Sequence, residues 1–209
     1  MSMNEKFFDL KKEKQDRMIN AALKIFAENG FRRASTDEMV KEAGISKGLL
    51  FHYFISKTGL YEFVFDYSVK YLMMEMASAV DGQETDYFQI RRQIEKARTV
   101  AMKNFPYMQL FLQRAAEEKE PEVLEAVREV AEKLLEAYDN VYLQVDFGSM
   151  HTVSPERLVR IVDYTLNGLL TEMVREPGFR PDAYYREAIL YLEELEKLCV
   201  QAGDGDGMD

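Results

Sequence analysis

The stretch KEAGISKGLLFHYFISK, residues 41–57, decides the fold of the N-terminal part of this 209-residue chain. Gly44 predicts the end of one helix, because glycine readily adopts the left-handed conformation found at helix C-termini. Ser46 predicts the N-cap of the next helix, which reaches about Phe54. Two short helices joined by a tight glycine turn indicate a helix-turn-helix, whose second helix can enter a DNA major groove.

The second of these helices has two unlike faces. On a helical wheel Leu50 and Phe54 fall together as the buried stripe, while Gly48, Leu49 and His52 lie opposite them. Glycine within a helix costs about 1 kcal/mol relative to alanine. Its place at the centre of the outward face suggests that another molecule approaches the backbone closely there.

Two predicted helices precede the one that Ser46 caps. The spacing of apolar residues predicts the first from about Lys14 to Asn29, with Gly30 as its stop. The second begins at Ser35 or Thr36, either of which is a good N-cap, and ends at the glycine of the turn. The N-terminal part is therefore expected to be a three-helix head.

The rest of the chain also predicts helices and no strands. Pro106, Pro121, Pro155 and Pro181 stand at or just before four helix starts, where a missing N–H group costs least. The predicted later helices span about residues 57–80, 86–104, 107–118, 121–145, 155–175 and 182–200.

The expected fold class is all-α, with two domains. Residues 1–62 form the helix-turn-helix domain, with the motif itself at about 35–54. Residues 63–202 form a helical ligand-binding and dimerisation domain, and residues 203–209, rich in Gly and Asp, are expected to be a flexible tail.

Charge is divided unevenly along the chain. The whole chain carries a net charge of −10, yet residues 1–58 hold 11 Lys and Arg against 8 Asp and Glu, and the remainder holds 16 against 29. A mildly basic head on an acidic body is compatible with nucleic acid, provided that only the head touches it.

Composition argues against several other classes of protein. Cys199 is the single cysteine, and His52 and His151 lie far apart, so we expect no metal site and no cofactor. Apolar runs are much shorter than the ~20 residues of a membrane span, so a soluble, cytoplasmic protein without a membrane partner is expected. Asp146, Ser149 and His151 do not predict a catalytic triad, because such close neighbours in sequence rarely converge as nucleophile, base and orienting group. We therefore expect no catalytic residues and no enzyme.

A longer pattern runs through roughly residues 14–62. It comprises Thr36-Asp37-Glu38, Ala43-Gly44-Ile45-Ser46-Lys47-Gly48, Leu50-Phe51-His52-Tyr53-Phe54, Ser56-Lys57 and Leu60. This order resembles the N-terminal signature of TetR-type (TetR/AcrR-like) transcriptional regulators, and it fixes the residue type at more than a dozen spaced positions. The resemblance implies an all-helical body that binds a small molecule and dimerises.

The resemblance also implies a set of DNA contacts. Thr36, Tyr53 and Lys57 would hold phosphates, which position a protein on DNA without specifying bases. Leu49 stands where the family usually has a small or hydroxyl residue, and it can contact a thymine methyl group. Because the list is short, two heads and a palindromic double-stranded operator are expected. The full implied set is Thr36, Ser46, Lys47, Gly48, Leu49, His52, Tyr53 and Lys57.

The last two predicted helices carry apolar residues on more than one face. A helix that is apolar on two faces must bury both. One face is expected to pack within its own body and the other against a second copy, giving a homodimer with a four-helix interface. The expected interface consists of Leu158, Ile161, Val162, Leu166, Leu169, Ile189, Leu192 and Leu195.

The body is expected to hold a cavity bounded by the helices at 86–104, 121–145 and 155–175. Small-molecule pockets have an apolar lining with few polar groups. No arginine-rich or His/Asp cluster is evident in the sequence, so the unknown effector is expected to be neutral or weakly polar. The expected lining consists of Met102, Phe105, Tyr138, Tyr142, Asn167 and Met173.

Together these patterns predict a sequence-specific DNA-binding transcriptional regulator, a repressor released by a small, mostly apolar ligand. The alternative is an interaction protein of the same fold that uses DNA binding as a scaffold to recruit a protein partner. An enzyme housed in the helical body is a second rival, which the scarcity of His and Cys disfavours.

Overall fold

The computed structural model describes residues 5–149 and 154–200. Within these ranges the protein is built of helices and contains no strand, which confirms the all-α prediction. The predicted tail at 203–209 lies outside the described residues. Short 3-10 helices span Glu5–Asp9 and Phe147–Ser149. The α-helices are α1 (Lys12–Arg33), α2 (Thr36–Ala43), α3 (Lys47–Phe54), α4 (Lys57–Ala79), α5 (Tyr87–Asn104), α6 (Met108–Ala115), α7 (Pro121–Tyr142), α8 (Pro155–Arg175) and α9 (Pro181–Val200).

Two glycines shape the head as predicted. Gly44 ends α2 with φ 65° and ψ 42°, in the left-handed region. Gly30 has φ 70° and ψ 172° and interrupts α1, although one further helical turn follows it and reaches Arg33. Both positions need a positive φ, which glycine adopts without the steric cost that other residues meet.

Serine side chains cap the two helices of the motif. The Oγ of Ser35 accepts a hydrogen bond from the backbone N–H of Glu38 at 3.4 Å, and the Oγ of Ser46 accepts one from Leu49 at 3.2 Å. Each bond satisfies a backbone donor that has no partner inside the helix. The predicted starts of α2 and α3 are confirmed.

The chain divides into two compact units that are not continuous in sequence. The first comprises the described residues up to Met74 together with Asn104–Glu136, and the second comprises Glu75–Lys103 together with the described residues from Ala137 onward. This division differs from the expected boundary after residue 62.

Aromatic packing explains why α6 belongs to the first unit. The ring of Phe111 on α6 lies 6.1 Å from that of Phe26 on α1 and 5.1 Å from that of Tyr61 on α4, between centroids. Phe65 joins the same cluster at 6.3 Å. Such aromatic pairs add to the stability gained from burial alone, so α6 packs with the head despite its distance along the chain.

The N-terminal 3-10 helix supplies a core residue that the sequence did not predict. Phe7 is fully buried, with its ring 5.7 Å from Tyr53, 5.1 Å from Phe54 and 5.1 Å from Phe63. These contacts join the chain start to α3 and α4. They therefore hold the second helix of the motif from its inner side.

In the second unit α8 and α9 pack against each other. Four residues predicted at a homodimer interface are only 0 to 4% exposed within the single chain, namely Leu158, Val162, Leu166 and Leu192. That part of the prediction is wrong, because side chains already covered by their own chain form no surface for a second copy. The other four remain exposed or half-buried, namely Ile161, Leu169, Ile189 and Leu195. None of the described helices is both long and apolar enough to cross a membrane.

Candidate nucleic-acid interface and charged core

The outward face of α3 is a continuous set of the predicted DNA-contacting residues. Ser46, Lys47, Gly48 and His52 are exposed and Leu49 is half-buried. Leu50 and Phe54, which form the predicted buried stripe of α3, are 2% and 1% exposed. The helical wheel therefore assigned the two faces of α3 correctly.

Gly48 lies in the middle of this outward face. A Cβ atom built on Gly48 would meet no heavy atom within 4 Å. Its backbone is helical, so no unusual φ angle requires glycine either. Neither the packing nor the backbone of this chain requires a glycine at this position.

Lys47 has an internal partner on α2. Its Nζ lies 2.9 Å from the Oδ1 of Asp37, and the two side chains are 51% and 73% exposed. An exposed ion pair of this kind contributes little to stability. The ammonium group can therefore exchange Asp37 for a phosphate or a base edge at small cost.

Tyr53 and Thr36 are less accessible than the rest of the predicted set. Tyr53 is 7% exposed, and its ring makes edge contacts with Phe7 at 5.7 Å and His52 at 5.0 Å. Thr36 is half-buried at the first position of α2. The ring of Tyr53 is therefore a packing element of the head, and little of its surface is open to a phosphate.

Lys57 differs from its predicted role. Its Nζ donates to the backbone carbonyls of Phe31 at 2.9 Å, Ala34 at 3.3 Å and Arg32 at 3.4 Å, and it lies 4.5 Å from the centre of the Phe31 ring. An ammonium group has three donors, and three carbonyls take them here. Lys57 thus caps the end of α1 in this structure, whereas the resemblance implied a phosphate contact.

The same turn is held from its other side by a residue that the sequence did not single out. The Oε2 of Glu118 accepts a hydrogen bond from the backbone N–H of Phe31 at 3.2 Å. Arg32 and Arg33, next in sequence, are exposed beside the start of α2 and add two positive charges to the head. The segment FRRAS shows this charge in the sequence, because two arginines stand two and three residues before the N-cap Ser35.

Ile55 connects α3 to α4 in an unfavourable conformation. Its φ of 60° and ψ of −49° lie outside the regions that a β-branched residue normally adopts, and its side chain is 67% exposed. Strain of this kind persists only where the surrounding structure imposes it. Here the buried aromatic rings on α3 and the bonds of Lys57 at the start of α4 fix both ends of the connection.

The second unit contains a buried cluster of charges on α5. Glu95 is fully buried, and its Oε1 lies 3.1 Å from Nη2 of Arg91 and 2.9 Å from Nη1 of Arg98. The hydroxyl of Tyr184 on α9 donates to Oε2 of Glu95 at 2.7 Å. Asp163 on α8 lies 3.0 Å from Nη2 of Arg91 and is 40% exposed, so it forms the rim of the cluster.

The charges inside this cluster remain fixed at ordinary pH. Burial by itself raises the pKa of Glu95, but Arg98 and Arg91, with the hydroxyl of Tyr184, bring that pKa below its ordinary value. Burial and the charge of Glu95 raise the pKa of Tyr184, so its hydroxyl stays a donor. The cluster therefore holds two guanidinium cations and one carboxylate away from water.

Three of the predicted lining residues lie at this cluster. The hydroxyl of Tyr142 accepts from Nη1 of Arg91 at 2.8 Å, and Oδ1 of Asn167 accepts from Nη2 of Arg98 at 3.1 Å. Burial raises the pKa of Tyr138, while the nearby charges of Arg98 and Arg91 lower it in part. The prediction of a lining without an arginine cluster is therefore wrong.

The other three predicted lining residues do not join them. Phe105 belongs to the first unit, where its ring lies 5.4 Å from Tyr67 and 5.3 Å from Tyr71, so its assignment to this site is wrong. Met102 is fully buried and Met173 is half-buried. The sequence signal for the cluster was the spacing of Arg91, Glu95 and Arg98 by four and three residues, which puts three charges on one helix face.

A separate cleft of about 300 Å³ lies within the first unit between α4 and α7. Its apolar wall includes Phe63, Phe65 and Val127, and its rim carries Glu62 and Asp66 beside the pair formed by Glu129 and Lys133. This cleft shares α7 with the expected effector cavity, but its other wall is α4, which the sequence analysis did not assign to that cavity.

We expect Gly48→Ala to separate stability from DNA binding. Alanine favours a helix over glycine by about 1 kcal/mol, and the space at this position is open, so the free energy of unfolding in urea should rise. DNA affinity should fall, because the added methyl group stands between the backbone and the groove. Asn140→Ala, at an exposed position of α7 away from the motif, also raises helix propensity and is the control, which should leave DNA affinity unchanged. Undiminished DNA binding by Gly48→Ala would contradict the close-approach interpretation.

We expect Lys57→Ala and Lys57→Met each to lower the free energy of unfolding by about 1–3 kcal/mol, because both remove the bonds to the end of α1. Methionine preserves the apolar stem, so similar losses would assign the effect to the ammonium group. The slope of log affinity for random DNA against log salt concentration should change little. A slope reduced by about one with unchanged stability would instead place Lys57 on a phosphate.

Comparison with known proteins agrees with these features. Residues 18–64 match the family model described as "Bacterial regulatory proteins, tetR family". The chain is 52% identical over 44 residues to the HTH-type transcriptional regulator UidR of Escherichia coli K12, a stretch that covers 21% of this chain and 22% of UidR. The chain therefore spans only about a fifth of the length of UidR.

Two further matches extend over most of the chain. The HTH-type transcriptional regulator BetI of Pectobacterium carotovorum is 24% identical over 179 residues, which is 85% of this chain and 88% of BetI. The crystal structure of a TetR family transcriptional regulator from Chloroflexus aurantiacus superposes with a TM-score of 0.65 at 18% identity, over 97% of this chain and 98% of that one. Residues 18–64 thus resemble the DNA-binding region of tetR-family regulatory proteins, and the chain has the fold of a solved TetR-family structure.

Proposed function

We propose that the protein is a sequence-specific DNA-binding transcriptional regulator that binds a palindromic operator as a homodimer. The observation that carries this proposal is the outward face of α3, where exposed polar groups surround a glycine that the chain's own packing does not require. A helix with such a face fits a major groove, in which backbone and base edges come close together.

An exposed apolar face supports the dimer. On α8, Ile161, Tyr164 and Gly168 are exposed at spacings of three and four residues, which places them on one face. On α9, Tyr191 and Leu198 are 46% and 71% exposed and lie two turns apart. A helix pair with an apolar outer face buries it by association, and a second copy of the same face gives a closed two-fold dimer.

The regulator that we propose is a repressor in the cytoplasm, released from DNA by a small molecule. A ligand changes DNA affinity only to the extent that it binds one conformation of the protein better than another. Reciprocally, DNA must reduce the affinity for that ligand by the same factor. The charged cluster of the second unit, with Tyr142 and Asn167 from two further helices, supports an effector site there.

Footprinting on the DNA that flanks the protein's own gene tests the regulator. We expect protection of a pseudo-palindrome whose half-sites lie one helical turn of DNA, or a multiple of it, apart. Gly48→Ala should fail to protect the same DNA at equal concentration. Uniform weak protection of all sequences would show that the protein has no operator in this DNA and would contradict the proposal.

Charge introduced into the apolar face should separate the dimer. We expect Ile161→Glu with Leu198→Glu to give a monomer of unchanged helical content in light scattering and circular dichroism, because both side chains are exposed in one chain. Leu135→Glu, at a 65% exposed apolar position on α7, is the control and should remain dimeric. A double variant that stays dimeric would place the interface elsewhere.

A further inference from the structure

Two buried polar atoms at the charged cluster have no partner among the described residues. Nε of Arg91 and the hydroxyl of Tyr87 are both inaccessible to solvent, and within the part of the chain that the structure describes neither has a hydrogen-bond partner. Arg91 is 3% and Tyr87 is 0% exposed. The two residues stand one turn apart on α5, so their side chains share a face.

Buried polar atoms of this kind are rare in folded proteins. Most buried donors and acceptors are paired, and an unpaired one costs the full free energy of removing it from water. A protein keeps such atoms where a ligand satisfies them or where they serve a mechanism. Two such atoms on one helix face, one of them part of a guanidinium group, point to a ligand that both would bind.

The partners of Arg91 show which chemistry fits. Nη1 donates to Tyr142 at 2.8 Å, while Nη2 is shared between Glu95 at 3.1 Å and Asp163 at 3.0 Å. The edge formed by Nε and Nη2 is therefore only half used. This edge matches the two oxygens of a carboxylate, which guanidinium groups bind through two parallel hydrogen bonds.

We propose that the second unit binds the carboxylate of an organic acid on the Nε–Nη2 edge of Arg91 and the hydroxyl of Tyr87, with the ligand displacing Asp163 from Arg91. Asp163 lies at the rim of the cluster, on a different helix from Arg91, and it is exposed enough to turn toward water. Glu95 is fully buried and also bonded to Arg98 and Tyr184, so it stays in place.

The charges of the site favour an anion over other ligands. Of the fully buried groups, Arg91 and Arg98 are cations and Glu95 is an anion, so the site keeps one excess positive charge once Asp163 leaves. A ligand carboxylate restores the balance, a neutral ligand does not, and a cation would face two guanidinium groups.

The surroundings of Tyr87 describe the rest of the ligand. Its ring lies 5.2 Å from Phe88, 5.6 Å from Phe147 and 6.0 Å from Tyr142, between centroids. An apolar body attached to the carboxylate suits these rings, as in other small-molecule sites where a few polar groups fix the orientation. The ligand class is therefore an apolar monocarboxylic acid.

This inference rests on the proposed function only where it calls the carboxylate site an effector site. Binding of the ligand itself can be tested without DNA. The full chain would be titrated with octanoate and phenylacetate, and in parallel with octanamide and phenylacetamide, which keep the shape and lack the charge. At saturating concentration at least one acid should raise the melting temperature by about 5 °C or more, and its amide should have little effect. Equal shifts from acid and amide, or no shift with either acid, would overturn the inference.

Substitutions then locate the carboxylate. Tyr87→Phe should leave the melting temperature of the free protein unchanged or higher, because the lost hydroxyl had no partner, yet weaken binding of the acid about tenfold. Asp163→Asn should strengthen it, by up to about fivefold, because the competing charge is removed. Tyr67→Phe in the first unit controls for the loss of a tyrosine hydroxyl and should leave acid affinity unaltered. Unchanged affinity in both Tyr87→Phe and Asp163→Asn would place the acid elsewhere and refute the site.

The two proposals fail separately. An acid that binds at Arg91 but leaves operator affinity unchanged would confirm the carboxylate site and contradict its role as effector site. A protein that protects an operator but binds neither acid would confirm the regulator and refute the carboxylate site.

Discussion

The end of α1 is the constraint on which the head depends. The last carbonyls of any helix lack partners within it, and here the ammonium group of Lys57 takes three carbonyls of this turn while the carboxylate of Glu118 takes one N–H. Lys57 is also the first residue of α4, and only Ile55 and Ser56 separate it from the end of α3. One side chain thus joins the end of α1 to the start of α4, directly after the connection that leaves α3.

This arrangement explains why the connection at Ile55 can remain strained. The buried rings of Phe7, Tyr53 and Phe54 hold α3 from inside, and the bonds of Lys57 hold the start of α4. With both ends fixed, Ile55 in the two-residue connection absorbs the mismatch at a positive φ. The outer face of α3 is consequently carried on a support that is held at both ends, as the proposed contact with a DNA groove requires.

The second unit is organised around charge instead of apolar packing alone. Removing Arg91, Glu95 and Arg98 from water is expensive, and ion pairs inside proteins rarely stabilise a fold more than apolar residues of the same size would. Their retention in the interior is better explained by binding than by stability. The unpaired Nε of Arg91 and the hydroxyl of Tyr87 agree with that explanation, because a purely structural network would satisfy its own donors.

What the sequence determined by itself is the local structure of the chain. Ser35, Gly44 and Ser46 predicted where α2 and α3 begin and end, because a cap or a left-handed glycine acts within about four residues. The helical wheel likewise assigned the two faces of α3 correctly, because the position of a side chain around a helix follows from its spacing in the sequence. Only the tertiary structure decided which groups separated in sequence are neighbours: Lys57 and Phe31 lie 26 residues apart, and Tyr184 and Glu95 lie 89 apart. Periodicity shows that α8 is apolar on more than one face, but it cannot tell which face its own unit covers, since burial is a property of the assembled fold and not of the helix.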